Sequence, residues 1–387
     1  MASNTAEIAA EHHVERGERV TPLELFFDLV FVFAITQVTT LMSEDPTWRG
    51  LGQGLLVLAT LWWAWGAYAW LTSGAWVDEG SARLLMLVSM AAMLVAALAV
   101  PTAFGEDGVL FGCAYFLVRF THIFLFAETS PDVDARQAVS RLARTAVPAP
   151  ALLIAAGFLD GTPQAALWVA ALAFDYSGPY LFGVRGFRLS ASHFAERFGL
   201  IVLIALGESI VAIGVGATGV DLGVEVVVAA VLGIAVVAAL WWAYFDVVAL
   251  VAERRLLAAR GYEQLRMARD SYSYLHLPMI TGIVLLALGI KKTISGFDDP
   301  LGTVPAVALC GGVSLYLAGH IAFRLRNVRS LNKPRLLIAV ASLGLIPLAT
   351  AVDALYALAA VAALCSLLIA YEAVVYAEAR AKVRAAA

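Results

Sequence analysis

Long apolar runs, each closed by a short polar connection, fill nearly the whole chain. A helix that crosses a bilayer takes about 20 mostly apolar residues. Twelve such stretches fit the sequence, at roughly 23–42, 52–72, 84–104, 109–127, 145–159, 164–183, 198–217, 226–251, 272–290, 303–323, 336–352 and 355–377. The pattern predicts an all-α polytopic membrane protein of about twelve transmembrane helices, with connections too short for a separate soluble domain. Residues 1–19 are a polar segment, with four Glu and two His in the first 18. No apolar core or cleavage site precedes residue 20, so the first helix is expected to be its own insertion signal.

Composition agrees with this pattern. Of 387 residues 61% are hydrophobic and 14% charged, whereas soluble domains carry about 25% charge. The net charge of −4 says less than its distribution. With twelve crossings, 22 of the 26 Lys and Arg fall on the side of the termini and three (Arg49, Lys291, Lys292) on the other, while Arg119 lies within a span. Basic residues stay in the cytoplasm, so both termini are expected there. The three cysteines, Cys113, Cys310 and Cys365, all fall in apolar stretches and read as small core residues. There is no metal-ligand spacing, no cofactor motif, no phosphate loop and no nucleic-acid patch; the expected partners are the lipid bilayer and a small solute or ion.

Some words recur. Leu61-Trp62-Trp63-Ala64 returns as Leu240-Trp241-Trp242-Ala243, Glu24-x-Phe26 as Glu196-x-Phe198, and the pair Cys113 and His122 as Cys310 and His320. Order and spacing agree, which predicts two six-helix repeats, 20–190 and 191–387, the second with a short cytoplasmic tail. Six is even, so the repeats run parallel, related by an axis along the membrane normal. Trp62, Trp63, Trp241 and Trp242 sit near mid-span rather than at the headgroups, and are expected to pack at the repeat seam.

The first apolar stretch, "RVTPLELFFDLVFVFAITQV", carries carboxyls. Thr21 and Glu24 have the spacing of a capping box, with Pro22 at the first helical position. Asp28 has no such structural explanation; it lies one turn further along, on the face of Glu24. The other ionisable residues within spans are Arg119, His122, Asp175, Glu208, Asp246, His276, His320 and Glu372. All fall between the cytoplasmic helix end and the midplane, with Arg119, Asp175 and Glu208 deepest, about 10–15 Å in. A charge at that depth costs about 2.5–3.5 kcal/mol or more unless paired or hydrated. The candidate polar site is therefore Asp28, Arg119, His122, Asp175, Glu208, Asp246 and His320, lining a cavity open to the cytoplasm. Arg119 is expected to pair with Asp28, Asp175 or Glu208. The competing reading makes these residues hydrogen-bonding partners between helices.

The first stretch, the LWWA word, "ERFGLIVLIALGES" and "WWAYFD" together resemble the bacterial low temperature requirement protein A family over nearly the whole chain. The resemblance implies a multi-pass protein of the bacterial inner membrane linked to growth in the cold. It places the family's motif positions at Glu24, Phe26, Asp28, Glu196, Gly207, Glu208 and Ser209. The function expected on both grounds is a transporter or channel, with coupling through protonation of Asp28, Asp175 and Glu208. A non-transporting scaffold or stress-response component is the alternative. An intramembrane lipid enzyme and a haem protein ligated by His122, His276 and His320 rank lower: no HExxH, GxSxG or CxxCH word is present, and a non-enzymatic role is preferred.

Overall fold

The computed structural model describes residues 19–75, 77–130 and 133–385; of the polar segment expected at 1–19, all but Arg19 lies outside the described residues. Of the described residues 83% are helical, and none forms a strand. The helices are α1 (Pro22–Glu44), α2 (Trp48–Gly74), α3 (Gly80–Leu98), α4 (Gly108–Thr129), α5 (Val133–Ala146), α6 (Pro148–Ala156), α7 (Gly161–Leu181), α8 (Ala191–Gly216) and α9 (Val224–Phe245). They continue with α10 (Val248–Ala258), α11 (Gly261–Met267), a π-helical segment Ala268–Tyr274, α12 (His276–Ile294), α13 (Thr303–Val328), α14 (Lys333–Gly344), α15 (Ile346–Ala349), α16 (Ala354–Val375) and α17 (Ala377–Ala385).

Nine helical stretches among the described residues are long and apolar enough to cross a membrane: α1, α2, α3, α4, α8, α9 with α10, α11 through α12, α13 and α16. The apolar stretches at 145–159, 164–183 and 336–352 are helical but fall outside these nine, for local reasons. Proline cannot donate the backbone bond a helix interior needs. Pro148 opens α6, which ends after nine residues. Gln164, Asp175 and an internal Pro179 dilute α7. α14 stops at Gly344, and Pro347 follows within the short α15.

The chain clusters into two compact units. One comprises residues up to Ala34, Ala59–Leu200 and Leu256–Arg269; the other comprises Ile35–Leu58, Ile201–Arg255 and Asp270–Ala387. In the first, α4 packs on α3 and α6, and α7 on α5 and α6. Gly112 and Gly157 let the α4 and α6 backbones approach: a Cβ on Gly112 would lie 2.8 Å from Ile154 backbone atoms. In the second unit, α12 lies along α13 with backbone against backbone. A Cβ on Gly282 would meet the Gly312 carbonyl at 2.6 Å, and one on Gly289 the Leu309 Cα at 2.5 Å. Membrane helices associate by such close packing of small residues, because lipid supplies no hydrophobic drive between them.

Exposure separates the helices. In α13 72% of the span is buried, while in α3 and α16 only 39% and 33% are. Most of the exposed side chains of those two are apolar, among them Leu84, Leu98, Leu367 and Val374. An apolar surface of that kind suits lipid and not water.

Candidate functional site

The first unit holds two buried charge clusters. The capping box forms as expected: the Thr21 amide donates to Glu24 Oε2 at 2.8 Å, and the Glu24 amide to Thr21 Oγ1 at 3.3 Å. Its carboxylate does more than cap. Glu24 and Asp28, one turn apart on α1, face His193 and Arg197, one turn apart on α8, so two i, i+4 ladders mate. Arg197 Nη1 lies 3.1 Å from Glu24 Oε1, and Nη2 donates to Asp28 Oδ1 at 2.8 Å. His193 Nε2 contacts Glu24 Oε2 at 3.1 Å, and its Nδ1 lies 3.0 Å from Ser73 Oγ. The indole N–H of Trp65 donates to Asp28 Oδ1 at 2.8 Å. All four charged or titratable members are at most 3% exposed.

The charge count of this cluster is uneven. One guanidinium serves two carboxylates, and Asp28 Oδ2 has no hydrogen-bond partner among the described residues. His193 decides the balance. An ionised Glu24 only accepts, so Nε2 carries the proton facing it. Nδ1 then accepts from the Ser73 hydroxyl when the ring is neutral, and donates to it when the ring is protonated. A hydroxyl can turn to serve either state. The cluster can therefore gain one proton without losing a hydrogen bond, and in doing so becomes neutral.

The second cluster is matched one to one. Arg119 on α4 donates to Asp175 of α7 at 2.9 Å, both buried. Tyr115 reaches the same carboxyl at 3.3 Å, and Trp63 adds a further hydrogen bond. Asp175 is the partner that Arg119 takes among the three expected. His122, a turn from Arg119, is packed edge-on against Tyr68 and Phe126 and contacts the Ala67 backbone.

The second unit holds three more sites. Glu208 of α8 is buried, and Thr36 donates to its Oε2 at 2.5 Å, while the nearby Thr39 hydroxyl donates to the Ile35 carbonyl at 3.2 Å. Arg335 clasps Glu372 with both prongs, Nε and Nη2, at 2.9 Å each, while its Nη1 meets His320 Nδ1 at 3.1 Å. Arginine only donates, so that ring nitrogen accepts. Asp246 pairs with Arg380 and Arg384 of α17. Nearby, Tyr244 Oη and His276 Nε2 lie 2.9 Å apart, and His276 Nδ1 donates to the Ser271 carbonyl at 3.0 Å. The π-helical turn makes that carbonyl available, because the Leu275 amide bonds one residue further back, to Asp270.

The seven candidate residues thus fall into separate clusters, each with its own partners. Asp28 joins Glu24, Arg119 joins Asp175 with His122 beside them on α4, and Glu208, Asp246 and His320 each have different neighbours. The tryptophans also differ from the packing role expected of all four. Trp62 and Trp63 are buried, but Trp63 bonds Asp175; Trp242 lies under the Arg380 guanidinium, and Trp241 is 42% exposed against Phe245. Sequence reasoning missed Arg197 and Arg335, which read as basic loop residues at helix ends. It also missed His193. The signal was present: His193-x-x-x-Arg197 repeats the spacing of Glu24-x-x-x-Asp28 with opposite charge. Among the described residues no group of His, Cys, Asp and Glu is arranged to hold a metal.

The chain matches the family described as bacterial low temperature requirement A protein over residues 19–370. It is 29% identical over 336 residues to an uncharacterized protein of Rhizobium meliloti (strain 1021), covering 82% of this chain and 80% of that one. No solved structure matches it. Long apolar helices and family agree on an integral, multi-pass membrane protein. With the match running from the start of α1 into α16, most of the chain, the protein belongs to the bacterial low temperature requirement A (LtrA) family.

Proposed function

We propose that this protein is a proton-coupled transporter or channel of the bacterial cytoplasmic membrane, and that Glu24, Asp28, His193 and Arg197 with Ser73 form its proton-binding site. The observation that carries the reading is the odd charge count: two buried carboxylates, one guanidinium and one imidazole that can be hydrogen-bonded in either protonation state. A purely structural ion pair needs no such spare carboxylate. Glu208 supports the same reading, as a buried carboxyl held by the Thr36 hydroxyl that makes no ion pair among the described residues. In the proposed arrangement twelve crossings form two parallel six-helix repeats, both termini are cytoplasmic and a polar cavity opens to the cytoplasm. The recurring LWWA word and the 22-to-3 division of basic residues support that arrangement. The family's description suggests a need for this transport in the cold.

A second reading has its own observation. The Arg119–Asp175 and Arg335–Glu372 pairs are matched one to one in charge, as a non-transporting membrane scaffold would have them. Reconstitution separates the two. Purified full-length protein is placed in liposomes loaded with a pH-sensitive dye, and proton, potassium and sodium gradients are imposed in turn. Protein-dependent proton movement is expected, lost in His193→Gln and in Asp28→Asn and kept in the exposed Glu263→Gln. Ion movement no faster than in empty liposomes for all three gradients sinks the transport reading and leaves the scaffold.

A further inference from the structure

The second unit contains a cavity of about 450 Å³ between the end of α13, the start of α14, and α10, α16 and α17. That volume falls within the usual range of small-molecule sites. Its charged lining is four basic residues against two acidic ones. Both acids are already engaged: Glu372 is clasped by Arg335, and Asp246 by Arg380. Asn332 is spent on Arg335 and Glu372, and three further polar lining groups offer donors. Lys333 makes no ion pair among the described residues, and Arg324 uses only its Nε, on Ser330 Oγ at 2.8 Å. Asn327 is more than nine-tenths buried; its Oδ1 accepts from Ser271, and its Nδ2 has no partner. Three donors facing one space, with both carboxylates engaged, call for an acceptor-rich anionic group.

The rest of the lining is apolar, including Val247, Val251, Phe323 and Leu331. A small hydrated anion would leave that surface wet and without a match. An anionic group with an apolar tail satisfies both parts. We propose that this cavity binds an anionic phospholipid, its phosphate held by Arg324, Lys333 and Asn327 and its acyl portion lying on the apolar wall. Anionic lipid is attracted to basic pockets between membrane helices. This site is independent of the proton cluster, so it stands whether or not the protein transports.

The test is native mass spectrometry of the full-length protein in a neutral detergent, titrated with phosphatidylglycerol or with phosphatidylcholine of the same acyl chains. Retention of phosphatidylglycerol is expected on wild type at concentrations where phosphatidylcholine is lost. Arg324→Gln/Lys333→Gln should weaken that retention about tenfold or more, because two charge-assisted donors are removed. Lys382→Gln, on α17 but not lining the cavity, should leave it unchanged. Both substituted residues are exposed and the Arg335 and Arg380 pairs are untouched, so elution as a folded species should not change. Equal retention of the two lipids, or wild-type retention by the double variant, overturns the proposal. Displacement of phosphatidylglycerol by millimolar inorganic phosphate also overturns it, since the site would then read the anion alone.

Discussion

Residues 61–65 and 240–244 spell LWWAW and LWWAY, and the molecule uses the two words for different chemistry. Around the first, Trp62, Trp63 and Trp65 are all buried, and two of the three donate to aspartates, Trp63 to Asp175 and Trp65 to Asp28. Around the second, Trp241 is exposed, Trp242 lies beneath Arg380, and Tyr244 meets the imidazole of His276. The charged groups gathered near the first word are three carboxylates and two guanidiniums, with His193 able to make up the difference. Near the second word, the Arg335–Glu372 pair is balanced, Asp246 meets two guanidiniums, Arg380 and Arg384, and the His276 chain needs no net charge. A repeated word can thus keep helix shape and bulk while the site around it changes from an excess of carboxylates to paired carboxylates and a neutral imidazole chain.

The sharpest way to break this contrast is to remove the arginine on each side. Arg197→Met strands two buried carboxylates, and Arg335→Met strands one. Removing one partner of a buried pair destabilises by about 3–5 kcal/mol, so both variants should lose folded protein. Arg197→Met should be the worse of the two by fluorescence-detected size exclusion in detergent. Recovery should follow the count: Glu372→Gln alone restores Arg335→Met, whereas Arg197→Met needs both Glu24→Gln and Asp28→Asn. Full recovery of Arg197→Met by a single neutralisation would show that the other carboxyl is already uncharged, and the uneven count would be lost.

Much of this was legible in the chain. Apolar runs placed all nine of the long apolar helical stretches but not the amphipathic α5, and Thr21-x-x-Glu24 placed the first cap to the residue. The depth of Arg119 implied a carboxylate partner and named Asp175 among three. What escaped lay at helix ends. The apolar run near 198 hides the true start of α8 at Ala191, because His193 and Arg197 look like loop residues until Glu24 and Asp28 stand opposite them. Arg335 looked like a topology signal for the same reason. A charge near a helix end is counted as a flank when read alone, and only its partner on another helix turns it into a buried group. Prolines at 148, 150, 163, 179 and 347 likewise punctuate stretches that hydropathy alone reads as continuous.

Bulk gives the next comparison. Trp62 is fully buried against Trp65 and Phe198, whereas Trp241 stacks on Phe245 with 42% of its surface open. Trp62→Ala should cost about 3–5 kcal/mol, as large buried aromatics do. Trp241→Ala should stay within about 0.5 kcal/mol, as surface changes do. Thermal unfolding in detergent reads both, and similar losses would mean that the exposed ring is covered in the membrane by a second molecule.

The smallest effect isolates the final position of each word. Tyr244→Phe deletes only the phenolic hydroxyl, whereas Trp65→Phe deletes the indole N–H together with part of a buried ring. The acceptor differs: Asp28 is a carboxylate that Arg197 must share with Glu24, while the His276 ring is held as the Nδ1–H tautomer by the Ser271 carbonyl and offers Nε2 to the phenol. Hydrogen bonds to charged groups contribute about 1.5–3 kcal/mol, and neutral ones within a membrane about 0.6 kcal/mol. Trp65→Phe should therefore lower the unfolding midpoint several times further than Tyr244→Phe. Adding Asp28→Asn to Trp65→Phe then tests the cause: the midpoint should recover in part if an under-served carboxylate was the defect, and should stay low if the lost indole was only packing. An equal drop for the two single variants would mean that the charge of the acceptor does not distinguish the words, and that the contrast between them is one of burial alone.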